Sequence, residues 1–165
     1  MAFSQLRKVR EISIIVLLLG SNFAKADWVY VQSTDPFEDH DTSSVSPDLA
    51  SYSSDNELAI SVRCEFDGLN ILLTHSYMNG DSDEEVLAVL RIDKNEAYGP
   101  TYWDLQGNTQ SWMPLRNVRK VVEEMKQGDR ILIRLIDPSD DEQLFEDVSL
   151  DGFDSAVEKL ACYKI

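Results

Sequence analysis

The sequence predicts a mainly β (α+β) domain: an antiparallel β-sandwich or curved sheet with one crossover helix, a C-terminal helix and one disulfide. Three observations carry that expectation. From Leu58 onward apolar residues mostly alternate with period two, in runs separated by short turns such as Asp67-Gly68 and Asn79-Gly80. The period changes to that of a helix twice, after Pro114 and after Asp151. The two cysteines, Cys64 and Cys162, stand near the start and the end of this region.

The chain begins with a different kind of segment. Arg7, Lys8 and Arg10 precede an apolar run from Ile12 to Leu19, and Ala24-Lys25-Ala26 places small residues where a signal peptidase reads them. The run is far shorter than the roughly 20 apolar residues of a membrane span. Residues 1–26 are therefore expected to be a cleaved signal peptide, and no cysteine at the cleavage point offers a lipid anchor. The mature chain would work in the periplasm or outside the cell, with no membrane span. In such an oxidising compartment an even cysteine count points to a bond between Cys64 and Cys162.

Trp28 to Val31 is expected to be a first strand. The stretch from Asp35 to Asn56 is rich in Ser and Asp and lacks an apolar period, so it reads as a long surface excursion. Residues 27–57 thus form an N-terminal strand and acidic loop attached to a β-rich core at 58–165, together one globular domain. In that core Leu58, Ile60, Val62 and Cys64 share one face of a strand. Leu69 to His75 is its hairpin partner across Asp67-Gly68. Val86 to Ile92 is a strongly apolar strand. Gly99-Pro100 reads as a break, followed by short strands at Tyr102 to Leu105 and Ser111 to Leu115. Val118, Val121, Val122 and Met125 mark one face of a helix that Gly128 stops. Strands follow at Arg130 to Ile136 and Leu144 to Leu150. Phe153, Val157 and Leu160 then mark a final helix that carries Cys162 at its end.

The composition excludes some partners. There are 15 Lys+Arg against 30 Asp+Glu, a formal net charge of −15. Such a molecule repels nucleic acid and anionic membrane surfaces. Cleavage would deepen the imbalance, because it removes Arg7, Lys8, Arg10 and Lys25 but only Glu11.

No catalytic motif is present: no His-Glu-x-x-His helix, no Gly-x-Ser-x-Gly elbow and no Gly-rich phosphate loop. His40 and His75 stand alone, and with the two cysteines they lack zinc-ligand spacing. The acidic turns Asp81 to Glu85 and Asp137 to Glu142 hold oxygen ligands without the pattern of a calcium loop. No metal or cofactor is expected, and the chain reads as a non-enzyme. The sharper pattern is a set of arginines, Arg63, Arg91 and Arg134, each on a strand and out of phase with its core residues. If those strands are neighbours, the guanidinium groups form a cationic row able to grip carboxylate or phosphate. The alternative is pairing with local carboxylates such as Glu65 or Asp93. Tyr102 and Trp103 join the candidate binding surface as groove-lining aromatics, with a core or edge plug as the plainer alternative.

These residues together resemble the periplasmic accessory proteins of type VI secretion, the VasI/TagO type. The shared pattern runs from Trp28 and the Asp-rich stretch Asp35 to Asp41, through Arg63-Cys64 and Arg91-Ile92-Asp93, to Trp103. It continues with a helix-Gly-strand unit (Val118 to Leu135), Leu150-Asp-Gly-Phe153 and the terminal Cys162. Asp104-Leu-Gln106 departs from the Ser-Thr-Asp expected after Trp103, and Ser33-Thr-Asp35 only approximates an Asp-Asp-Ser. The resemblance implies a periplasmic accessory or binding role and transfers no catalytic residue; the expectation is a non-enzymatic protein that binds another protein of the cell envelope and supports type VI secretion. A small-ligand or cation-binding module, or an acidic exported inhibitor or immunity protein, is the alternative.

Overall fold

The computed structural model describes residues 28–48, 57–81 and 83–164. The expected signal peptide at 1–26, and residues 49–56 of the expected excursion, lie outside them. The elements are β1 (Trp28–Val31), β2 (Ser44–Pro47), β3 (Leu58–Glu65), β4 (Gly68–His75), β5 (Glu85–Ile92), β6 (Tyr98–Gln106) and β7 (Gln110–Trp112). Then come α1 (Leu115–Met125), β8 (Arg130–Ile136), β9 (Gln143–Ser149), α2 (Phe153–Val157) and a 3-10 turn, Ala161–Lys164. The nine strands of the described residues form one sheet in the order β1-β2-β3-β4-β7-β6-β5-β8-β9. Every neighbouring pair is antiparallel.

The sheet curls on itself, as twisted sheets of many strands do. Trp28, on the first strand, donates its indole N–H to the Ser149 carbonyl on the last, 2.9 Å away. The concave side holds the core. Leu58, Ile60, Val62 and Cys64 of β3 all point inward, as their alternation requires. Val118, Val121, Val122 and Met125 of α1 are buried in the same core, where α1 packs on β4, and α1 carries the chain from β7 over to β8. Gly128 ends this crossover where the backbone has no room: a Cβ there would stand 2.4 Å from Ile92 Cγ2. Phe153 of α2 packs edge-on against Trp28, with ring centroids 4.7 Å apart.

The expected disulfide is present. Cys64 and Cys162 are bonded, with Cα atoms 5.6 Å apart and a sequence separation of 98. It ties the chain end to the inner face of β3.

Three local expectations change. The acidic excursion contains β2, whose Val45 is fully buried and which bridges β1 and β3. Its apolar signal is one valine and a proline, too little to show a period. Pro47 is tolerated because β3 pairs only with Ser44 and Val45. The break at Gly99-Pro100 is instead the start of β6, set where the register with β5 shifts between Ala88 and Leu90. Finally, the last helix is α2 followed by a separate 3-10 turn, and Cys162 lies in that turn.

Candidate docking face

Alternation in the strands decides what the convex side presents. Val86, Ala88, Leu90 and Ile92 of β5 are buried inward, so Leu87, Val89 and Arg91 point outward. In β8 the outward set is Arg130, Leu132, Arg134 and Ile136. Register then assembles the face. Leu87 lies between Tyr102 of β6 and Ile136 of β8. Val89 lies opposite Arg134, and Arg134 opposite Phe145 of β9. Arg91 lies opposite Leu132, and Leu132 opposite Asp147. The result is a patch in which Leu87, Val89, Leu132 and Ile136 are half-buried, while Tyr102 and Phe145 remain 49% and 60% exposed.

Arg91 and Arg134 are diagonal neighbours in this patch, a relation that places side chains roughly 7–8 Å apart. Both are exposed, and neither makes an ion pair among the described residues. On a chain with twice as many acids as bases, two unpaired guanidinium groups amid apolar side chains are unusual. They can take carboxylates bidentately while the surrounding apolar area is covered. Nearby charge is used elsewhere. Asp93 accepts from the backbone N–H groups of Asp129 and Arg130 at 3.0–3.2 Å, which holds the turn into β8. Asp147 pairs with Arg130.

Two residues of the expected surface do not join this patch. Arg63 is on β3, separated from β5 by β4, β7 and β6, so the three arginines do not form one row. It pairs with Glu65, the partner given as the alternative, and lies over the Trp112 ring, 5.6 Å from the centroid. Trp103 is 1% exposed: it faces inward opposite Val86 and is part of the core. It follows Tyr102 directly, and neighbouring residues of a strand face opposite ways. Phe145, Leu87, Val89, Leu132 and Ile136 were missed. For the four aliphatic residues the signal was present, because Val86 to Leu90 and, but for Arg134, Ile131 to Ile136 are apolar at both alternating positions, beyond what one buried face needs.

The titratable groups elsewhere serve the fold. His75 Nε2 lies 2.8 Å from Ser111 Oγ, the spacing of a base and its nucleophile. Ser111 is fully buried, however, and His75 Nδ1 lies 2.7 Å from the Ser76 carbonyl. Nδ1 therefore carries the proton, and Nε2 accepts from Ser111. Burial holds the His75 pKa below 6.5, against the opposing pull of the Ser76 carbonyl and the Asp137 charge. Asp137 is itself fully buried. Burial pushes its carboxyl up, but hydrogen bonds from Ser139 and from the Asn79 and Gly80 backbone outweigh that and leave it below its ordinary value. Asp81 accepts from the backbone N–H groups of Asp83 and Glu85. Both acidic turns are thus built around carboxylates that bind their own main chain. His40 faces Glu38, 3.7 Å away.

The fold and face define a class: a curled antiparallel sheet, filled by one crossover helix, stapled at its C-terminus and presenting an apolar strip with two free arginines. No protein-family model matches the sequence, and no curated protein matches it. Among solved structures, the chain is similar to the crystal structure of invasion associated protein B from Bartonella henselae. The two share 16% identity and a TM-score of 0.54, over 84% of this chain and 93% of that one. At that identity the likeness is one of fold. No helix among the described residues is long and apolar enough to cross a membrane.

Proposed function

We propose that this chain is an exported, non-enzymatic accessory protein that docks another protein on the convex face of β6, β5, β8 and β9. The observation that carries this reading is the pair Arg91 and Arg134, unpaired among half-exposed apolar side chains on a strongly acidic chain. A partner suited to it offers an apolar surface edged with Asp or Glu. Charge complementarity would then set orientation and encounter rate, and covering Tyr102 and Phe145 would supply most of the affinity. The Cys64–Cys162 bond supports export, because such staples persist in oxidising compartments. On the resemblance to VasI/TagO-type proteins, the partner is a component of a type VI secretion apparatus in the periplasm.

The test is affinity capture from the envelope fraction of the native host, followed by binding measurements on the captured protein. Arg91→Glu with Arg134→Glu is expected to weaken binding about tenfold or more without changing the melting temperature. The same reversal at Arg63 is expected to leave binding unchanged. Equal affinity of the double variant and the wild type would remove this face from consideration.

A further inference from the structure

The other half of the convex side carries a separate groove of about 350 Å³, beside the tip of the β3–β4 hairpin. It is lined by Glu65, Phe66, Asp67, Asn70, Gln106 and Trp112. That volume lies within the range of small-ligand sites, about 300–1,000 Å³. Phe66 is 85% exposed, an aromatic ring held in water at the rim. Asn70 is almost fully buried, and its Nδ2 is committed to Asp67 Oδ1 at 2.8 Å. Gln106 is exposed. The Trp112 indole N–H has no hydrogen-bond partner among the described residues.

Charge narrows the ligand. The carboxylates of Glu65 and Asp67 line the groove, and Asp104 lies directly across from Trp112 on the next strand. An anion is repelled there. A cation would seek these carboxylates or the Trp112 ring, but Glu65 is already paired with Arg63, Asp67 accepts from Asn70, and Arg63 already lies over the ring. A purely apolar ligand would leave the amide and carboxylate groups desolvated without partners. What remains is a neutral ligand with many hydroxyl groups and one apolar face. We propose that this groove binds a saccharide, whose C–H face rests on Phe66 and whose hydroxyls exchange hydrogen bonds with Asp67, Asn70 and Gln106. The site shares no residue with the docking face and does not depend on it.

The experiment follows the Trp112 indole N–H by ¹H–¹⁵N NMR, assigned by its loss in Trp112→Phe. The probes are maltotriose, cellotriose and chitotriose, with trilysine and trigalacturonate as charged comparators. At least one neutral trisaccharide is expected to shift this resonance saturably, with a dissociation constant of about 1 mM or tighter. Phe66→Ala and Gln106→Ala, both at exposed positions, are expected to weaken that binding about tenfold, while Arg134→Glu leaves it intact. No shift with any neutral trisaccharide, equal binding by both alanine variants, or tighter binding of trilysine or trigalacturonate would overturn the assignment.

Discussion

Reducing the Cys64–Cys162 bond perturbs the molecule at one point whose effect follows from chain length. The bond closes a loop across 98 residues. In the loop-closure model a cross-link of that span removes denatured-state entropy worth about 4–5 kcal/mol at 25 °C, and about 2–4 kcal/mol is typical after native-state strain. Without it the tail is held by the packing of Leu160 and Tyr163 on the core and by a few side-chain bonds. Lys126 Nζ donates to Glu158 at 3.0 Å and to the Tyr163 hydroxyl at 2.8 Å, that hydroxyl donates to Glu123 at 2.8 Å, and Arg119 donates to the Tyr163 carbonyl at 3.1 Å. Exposed pairs of this kind contribute about 0–1 kcal/mol each, too little to replace the bond. The assay is urea unfolding of oxidised protein and of protein kept reduced. Reduction leaves both sulfur atoms in place, so it avoids the cavity that alanine would open at Cys64, which is 1% exposed. The expected loss is at least about 2 kcal/mol, with a larger denaturant slope as the open chain exposes more surface. A reduced form within about 1 kcal/mol of the oxidised one would refute the reasoning.

Two further outcomes follow from buried groups. Burial keeps the folded pKa of His75 below the unfolded 6.5, so unfolded chains take up the proton first. The stability this group confers is complete above pH 6.5 and is lost as pH falls toward the lower folded value. Melting temperature is expected to drop between pH 8 and pH 5, and less steeply in His75→Gln. An equally steep drop in that variant would assign the effect elsewhere. Asp137 acts in a different window, since its depressed pKa withdraws stability only as pH falls below 3.8. Gly128→Ala places a methyl group 2.4 Å from Ile92 Cγ2 and 3.1 Å from Asp93 Oδ2. A cost of about 1–3 kcal/mol is expected in denaturant unfolding. No measurable cost would mean that the turn between α1 and β8 can yield.

Much of the fold was legible because β3, β5, β8 and α1 bury their core residues with a regular period. The alternation from Leu58 to Cys64 gave the buried face of β3, and the spacing of Val118, Val121, Val122 and Met125 gave the inner face of α1. The cysteine pairing was legible because the sequence contains only two. β2 was not, since a strand of four residues with one buried valine carries no period, and its place depends on β1 and β3 on either side. The site was half legible. Phase correctly placed Arg91 and Arg134 outward. Whether strands are neighbours depends on sheet order, which local pattern does not encode, and that separated Arg63 from the other two. Trp103 and Tyr102 are adjacent in sequence and opposite in facing, so only one of them could reach a surface.

The claim that most of the functional account rests on is that the convex side of β5 and β8 is where a partner sits. Photo-crosslinking amino acids placed singly at Tyr102, Phe145 and Thr74, in the full chain expressed in its native host, test it directly. Thr74 is exposed on β4, away from the patch. Tyr102 and Phe145 are expected to capture one and the same protein, Thr74 to capture none of it, and the Arg91→Glu, Arg134→Glu background to reduce both adducts about tenfold or more. Adducts formed from Thr74 alone, or adducts at Tyr102 and Phe145 undiminished by the charge reversal, would contradict that claim.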